Sequence, residues 1–144
     1  MRPGTIDEQR RLYVQVRLLV ERHYAKRVTV SAAARALATS PRQIQRAYAR
    51  FGDLTFREDL IERRMRAAAE LLSQPAIPVT DIARLVGYRQ PSHFSKAFRA
   101  RYAVAPARFR RELLGATGSG RVMLRGNGGR PLQSQIGPLR AGGR

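Results

Sequence analysis

Apolar residues recur in this chain at spacings of three and four and nowhere alternate over the length of a strand, so the pattern predicts helices throughout residues 1–114. Leu12, Val16, Leu19, Val20 and His23 mark one face of a helix from about Ile6 to Tyr24, with His23 expected as a packed residue on that face. A long helix is signalled at Thr55. The stretch TFRE has the form of a capping box, in which the Thr55 hydroxyl accepts a backbone N–H and Glu58 reaches back. Leu60, Arg64, Met65, Ala68, Leu71 and Leu72 then share a face, with alternating acids and bases opposite, until QPAIP at 74–78 stops the helix.

The pattern changes at 79–102, VTDIARLVGYRQPSHFSKAFRARY, where an apolar helical run is cut by Gly87 and Pro91 and then resumes. Helices this short are unstable alone, so the break must serve a paired arrangement. Residues 30–48, VSAAARALATSPRQIQRAY, repeat the device once one residue is added in the turn. Val30 matches Val79, Ala33 matches Ile82, Ala34 matches Ala83, Leu37 matches Val86, Ile44 matches Phe94, Arg46 matches Lys96 and Tyr48 matches Phe98. SPRQ at 40–43 reads as a second capping box with Pro41 at the first helical position, and Pro91 plays that part after Gln90. Gly87 suits a left-handed residue closing the shorter helix. A short helix, a turn and a second helix crossing steeply over small residues, here Ala34 and Ala83, make a helix-turn-helix, whose second helix fits the major groove of DNA. The same apolar positions would also serve a plain helical bundle; the polar sets left on the second helices favour the groove reader.

Composition supports a polyanionic partner. The 144 residues carry 28 Lys and Arg against 10 Asp and Glu, a net charge of +18, beyond what solubility requires. Codon bias could explain Arg over Lys but not the scarcity of acids. There is no Cys, and His23 and His93 are the only imidazoles, so no metal, cofactor or thiol chemistry is expected. No nucleophile paired with a base and no Gly-rich phosphate loop appears, which excludes an enzyme. The absence of a long apolar stretch or signal-peptide core predicts a cytoplasmic protein with no membrane partner. After Leu114 the composition shifts. Residues 115–144 hold nine of the 12 Gly, five Arg and no acid, which predicts a disordered basic tail. Residues 1–114 hold 23 basic against 10 acidic residues and so still carry +13.

The stretch DIARLVGYRQPSHFSKAFRARYAVAPARFRR, with IERRMRAAAELL before it, resembles the DNA-binding domain of the AraC/XylS family of bacterial transcription regulators over about residues 30–111. The resemblance implies an all-α fold. It has two helix-turn-helix units, at about 6–52 and 79–114, joined by a linker helix at about 55–74, with the tail following. It also implies double-stranded DNA as partner, nucleoid association, an activating role and RNA polymerase as a further partner. Departures from the family pattern fall at Ala103 and Asp53, where Gly is usual, with Gly52 beside the latter. Ala105 stands where Ser is usual, and Pro78 where a capping Ser or Thr is common. Only a few residues precede the first helix, so the chain resembles the short members that act as monomers without a sensor domain, and no small-molecule effector is expected. A truncated regulator and a nonspecific architectural DNA-binding protein are the alternatives.

A linker helix of 20 residues would span about 30 Å, close to the roughly 34 Å between successive major grooves on one face of DNA. One chain would then read two adjacent grooves of an asymmetric site, with modest DNA bending. Candidate base contacts are Arg42, Gln43, Gln45 and Arg46 in the first unit, and Gln90, Ser92, His93, Ser95 and Lys96 in the second. Arg46 and Lys96 occupy matching positions and could reach guanine, while Gln45 could read adenine. Arg89, Arg99, Arg101 and Arg108 are the candidates for phosphate.

Overall fold

In the computed structural model, residues 5–119 are described; they form seven helices and no strand. In chain order these are α1 (Ile6–His23), α2 (Val30–Ala36), α3 (Pro41–Phe51), α4 (Phe56–Leu71), α5 (Val79–Leu85), α6 (Pro91–Tyr102) and α7 (Pro106–Ser119). The predicted tail begins inside α7, whose helix carries residues 115–119; the rest of that tail lies outside the described residues. The chain divides into two compact units within α4, between Arg63 and Arg64.

Local chemistry explains where the first unit's helices start. Thr5, Thr29 and Ser40 each accept a backbone N–H of the first turn they precede, from Glu8, Ala32 and Gln43, at 3.2, 3.0 and 3.2 Å. At α4 the capping box closes in both directions. The Glu58 N–H donates to the Thr55 hydroxyl at 3.1 Å, and the Thr55 N–H donates to the Glu58 carboxylate at 3.0 Å. Val16 and Val20 of α1, Ala33 and Ala34 of α2, Ile44 and Tyr48 of α3, and Phe56 and Leu60 of α4 make this unit's core. His23 is not among them. The helix ends at this residue, leaving its side chain exposed, and Tyr24 packs against the core instead.

Gly52 ends α3 with an extended backbone, φ −114°, so no left-handed turn explains it. Its hydrogen faces a ring. A Cβ there would lie 2.9 Å from the Tyr13 hydroxyl and 3.2 Å from the Tyr48 carbonyl oxygen, so close packing requires the glycine.

The second unit is built around aromatic rings. Phe94, Phe98, Tyr102 and Phe109 are almost completely buried, with ring centroids 5.8 Å apart for Phe94 and Phe98, 4.8 Å for Phe98 and Tyr102, and 5.1 Å for Phe98 and Phe109. Met65, Leu72, Ile82 and Val86 are also fully buried. Helix α5 starts at Pro78 without a side-chain cap; the Pro78 carbonyl accepts the N–H groups of Asp81 and Ile82, both at 3.0 Å.

Helix α4 has 16 residues rather than the 20 expected, because Thr55 is its cap and Ser73 and Gln74 belong to the tighter turns that close it. That shortens it to about 24 Å. Arg57 and Glu58 in its first turn are exposed, but its later charges are not. Asp59 is buried, and Glu62, Arg63, Arg64, Arg66 and Glu70 are all half-buried. Two of these meet groups outside α4: Arg63 pairs with Glu21 at 2.9 Å and stacks on Tyr24, and Arg64 lies 5.4 Å over the Tyr88 ring.

Candidate nucleic-acid interface

The internal repeat is present down to single hydrogen bonds. At the end of α2, the N–H groups of Ala38 and Thr39 donate to the carbonyls of Arg35 and Ala34 at 3.3 and 2.9 Å. At the end of α5, those of Gly87 and Tyr88 donate to Arg84 and Ala83 at 3.0 and 2.9 Å. Both ends are therefore Schellman motifs, which need a left-handed residue at the penultimate place. Ala38 fills it with φ 54° and Gly87 with φ 104°. Arg89 and Gln90 then take the place of Ser40 alone, which is where the extra residue of the second copy sits.

These turns lead into α3 and α6, and burial separates each helix into two faces. Ile44, Ala47 and Tyr48 point inward on α3; Phe94, Phe98 and Tyr102 do so on α6. On the outward side of α3, Arg42, Gln45 and Arg46 are exposed and Gln43 is half-buried. On α6, Ser92, His93 and Lys96 are exposed with Ser95 half-buried, and Gln90 is exposed just before the helix. Each base-contact candidate set therefore gathers on or beside one second helix, away from the core. Arg50 is exposed as well and was missed, although its spacing of four from Arg46 continues the stripe begun at Arg42. The matching stripe on α6 reads Ser92, Lys96, Ala100.

The phosphate candidates divide. Arg89 in the turn and Arg99 on α6 are exposed. Arg101 is half-buried, its guanidinium carbon 4.7 Å from the Tyr102 ring centroid, and Arg108 pairs with Glu112 at 2.8 Å. Arg110, unremarked in the sequence, has a clear structural part. Its guanidinium donates to the carbonyls of Leu72, Gln74 and Ile77 at 3.1, 3.1 and 2.7 Å, fastening the segment between α4 and α5 to α7. These are three charge-assisted bonds to carbonyls of one short segment, and they hold the uncapped start of α5 in place through the chain that leads into it.

One buried charge lies behind α3. The Tyr48 hydroxyl donates to Asp59 Oδ2 at 2.7 Å, Arg17 Nε lies 3.1 Å from the same oxygen, and Arg17 Nη1 donates to the Tyr13 hydroxyl at 3.1 Å. Burial, and then the hydrogen bond to Asp59, push the Tyr48 hydroxyl far above its ordinary value, so it remains a donor. Among the described residues no group of three His, Cys, Asp or Glu is placed to hold a metal ion, and no helix is long and apolar enough to cross a membrane.

Known proteins share this arrangement. A family profile described as a helix-turn-helix domain matches residues 33–112. The virulence regulon transcriptional activator VirF of Shigella flexneri is 32% identical over 95 residues, covering 66% of this chain and 36% of VirF. The ornithine utilization regulator of Pseudomonas aeruginosa is 32% identical over 107 residues, covering 74% of this chain and 31% of that protein. The chain thus spans about a third of the length of these relatives. Among solved structures, the C-terminal domain of AraT, a response regulator from Geobacillus stearothermophilus, superposes with a TM-score of 0.68 at 28% identity, covering 77% of this chain and 88% of that one. The DNA-binding domain of AdpA, solved in complex with a target DNA, shares the fold with a TM-score of 0.66 at 23% identity over 75% of this chain and 97% of its own. With the paired turns, the two outward polar helices and these matches together, the chain belongs to the AraC-type family of helix-turn-helix DNA-binding domains.

Proposed function

We propose that this chain is a sequence-specific transcription regulator whose helices α3 and α6 read adjacent major grooves of one asymmetric DNA site. The observation that carries this reading is the matched pair of Schellman turns, each delivering a helix with its apolar side buried and its polar side outward. A helix presented in that way fits the major groove, where Arg and Lys can bond guanine O6 and N7, and Gln can bond adenine. The site is asymmetric because the outward stripes differ: three Arg on α3, and Ser, Lys and Ala on α6. Arg89 and Arg99 supply phosphate contacts, which fix register without reading sequence. The net charge of +18 supplies long-range attraction. An activating role extends to this chain what the name of VirF says of that protein, and RNA polymerase as partner and a place in the bacterial cytoplasm at the nucleoid complete the same reading.

Selection of bound duplexes from a random pool tests the reading. Arg46→Ala is expected to lose about 1–3 kcal/mol on the selected site and to relax choice at one position. Arg89→Ala removes the same charge from the turn and should weaken selected and scrambled duplexes alike. Equal losses on both duplexes for Arg46→Ala would instead establish an architectural protein.

A further inference from the structure

The profile that defines the family begins at residue 33, which leaves α1 outside it. Yet α1 packs directly behind the first reading helix. Tyr13 meets Tyr48 edge to face with centroids 5.2 Å apart, Arg10 lies 5.2 Å over the Phe51 ring, and Arg17 reaches Asp59. Asp59 is only 6% exposed, and a buried carboxylate is retained at a cost in solvation unless its partners hold it well. Here it has two, the guanidinium of Arg17 from α1 and the hydroxyl of Tyr48 from α3.

We propose that Asp59 is a positioning residue for DNA reading: through Tyr48 it fixes the roll of α3 about its own axis and so sets which base edges Arg42, Gln45 and Arg46 reach. The inference rests on the groove-reading function given above. Its physical basis is direction. The apolar contacts of Ile44 and Ala47 resist separation but have little angular preference, whereas a hydrogen bond weakens steeply off axis. A roll of about 10° moves a group about 6 Å from the helix axis by about 1 Å. Productive polar contacts tolerate displacements of about 0.5 Å. Arg42, Gln45 and Arg46 ride on the same rigid helix as Tyr48, with Arg46 nearly opposite it, so a roll of α3 would move all three together.

The second unit supplies an internal contrast. Phe98 occupies the position matching Tyr48 and has no hydroxyl, so at this position α6 is held by ring packing against Phe109 of α7. Tyr48→Phe would give the first unit the second unit's chemistry at this point.

The experiment compares base preference at every position of the selected site for the full chain and for Y48F and D59N, with Arg46→Ala and Lys96→Ala marking which positions belong to α3 and which to α6. Y48F is expected to lower discrimination about fivefold at the α3 positions, to leave the α6 positions unchanged, and to keep the wild-type salt dependence, because no charge is lost. D59N retains an acceptor for Tyr48 but loses the charge that holds Arg17. It should give a smaller loss at the same positions, and it serves as the readout if Y48F fails to fold. Unchanged preference at the α3 positions in folded variants, or equal relaxation at both sets, would overturn the positioning role. A wild-type chain with no base preference anywhere would instead overturn the groove-reading function itself.

Discussion

Three of the described residues adopt positive φ: Ala38 at 54°, Gly87 at 104° and Ala103 at 71°. An L side chain pays about 1–2 kcal/mol in the left-handed region, because Cβ crowds the following carbonyl. Glycine avoids that crowding but loses more freedom on folding, by about 0.4–1 kcal/mol. The balance favours glycine at all three. Ala103, which closes α6, is exposed, so the exchange removes no buried contact. Ala103→Gly is therefore expected to stabilise the second unit by about 0.5–1 kcal/mol, measured by urea unfolding. Gly87→Ala should move the midpoint the other way, by about 1–2 kcal/mol, since its φ lies well beyond the ordinary left-handed value. If both changes lowered stability equally, backbone strain would not be the governing effect. The departure from the family's glycine at 103 thus changes the energy of a turn and leaves its geometry in place.

At the scale of elements, the chain's helices and their two-fold repetition were readable because each signal is local. Caps at Thr55 and Ser40, prolines at first positions and apolar spacing within one helix depend on residues a few positions apart. What escaped the sequence depends on partners far along the chain. The burial of Asp59 needs Arg17 and Tyr48; the exposure of His23 follows from the helix stopping there; the part played by Gly52 needs the Tyr13 ring. The candidate site follows that division only in part. Outward polar residues on α3 and α6 were legible from periodicity, whereas the ties of Arg101 to Tyr102 and of Arg108 to Glu112, though only one and four positions apart, were not, because spacing alone does not say that two side chains turn toward each other. Arg110 is the clearest case, bonding carbonyls 33 to 38 positions earlier. Removing it takes away three bonds to carbonyls, of which that of Gln74 still accepts from Ile77, and releases the tether between α7 and the segment before α5. Arg110→Ala is expected to cost about 2–3 kcal/mol in the second unit, with Arg110→Lys recovering only part, because an ammonium lacks the fork that spans several acceptors. Hydrogen exchange should show the loss first in the amides of residues 73–82. A uniform loss across α1 to α3 as well would mean that Arg110 is not a local fastener.

For the whole molecule, the proposed function, two unequal readers on one chain, sets how many chains a site should hold. Proteins with a single helix-turn-helix gain their second contact from a second subunit, and their sites are correspondingly palindromic. On the proposed reading this chain carries both readers, with an Arg stripe on one and a Ser, Lys and Ala stripe on the other, so a single copy would complete an asymmetric site. Charge points the same way. Two copies at +18 repel, and DNA offsets that repulsion only where each occupies its own stretch of phosphates. Sedimentation of the chain with a duplex just long enough for two adjacent grooves should therefore give one chain per duplex, and doubling the protein should not add a second. Reversing the half of the duplex read by α6 should lower affinity by about tenfold or more, since every base contact of that helix is then misplaced at about 1–3 kcal/mol each. A stable complex of two chains on a minimal palindrome would show that the second contact comes from a second subunit and that α6 does not read its own groove.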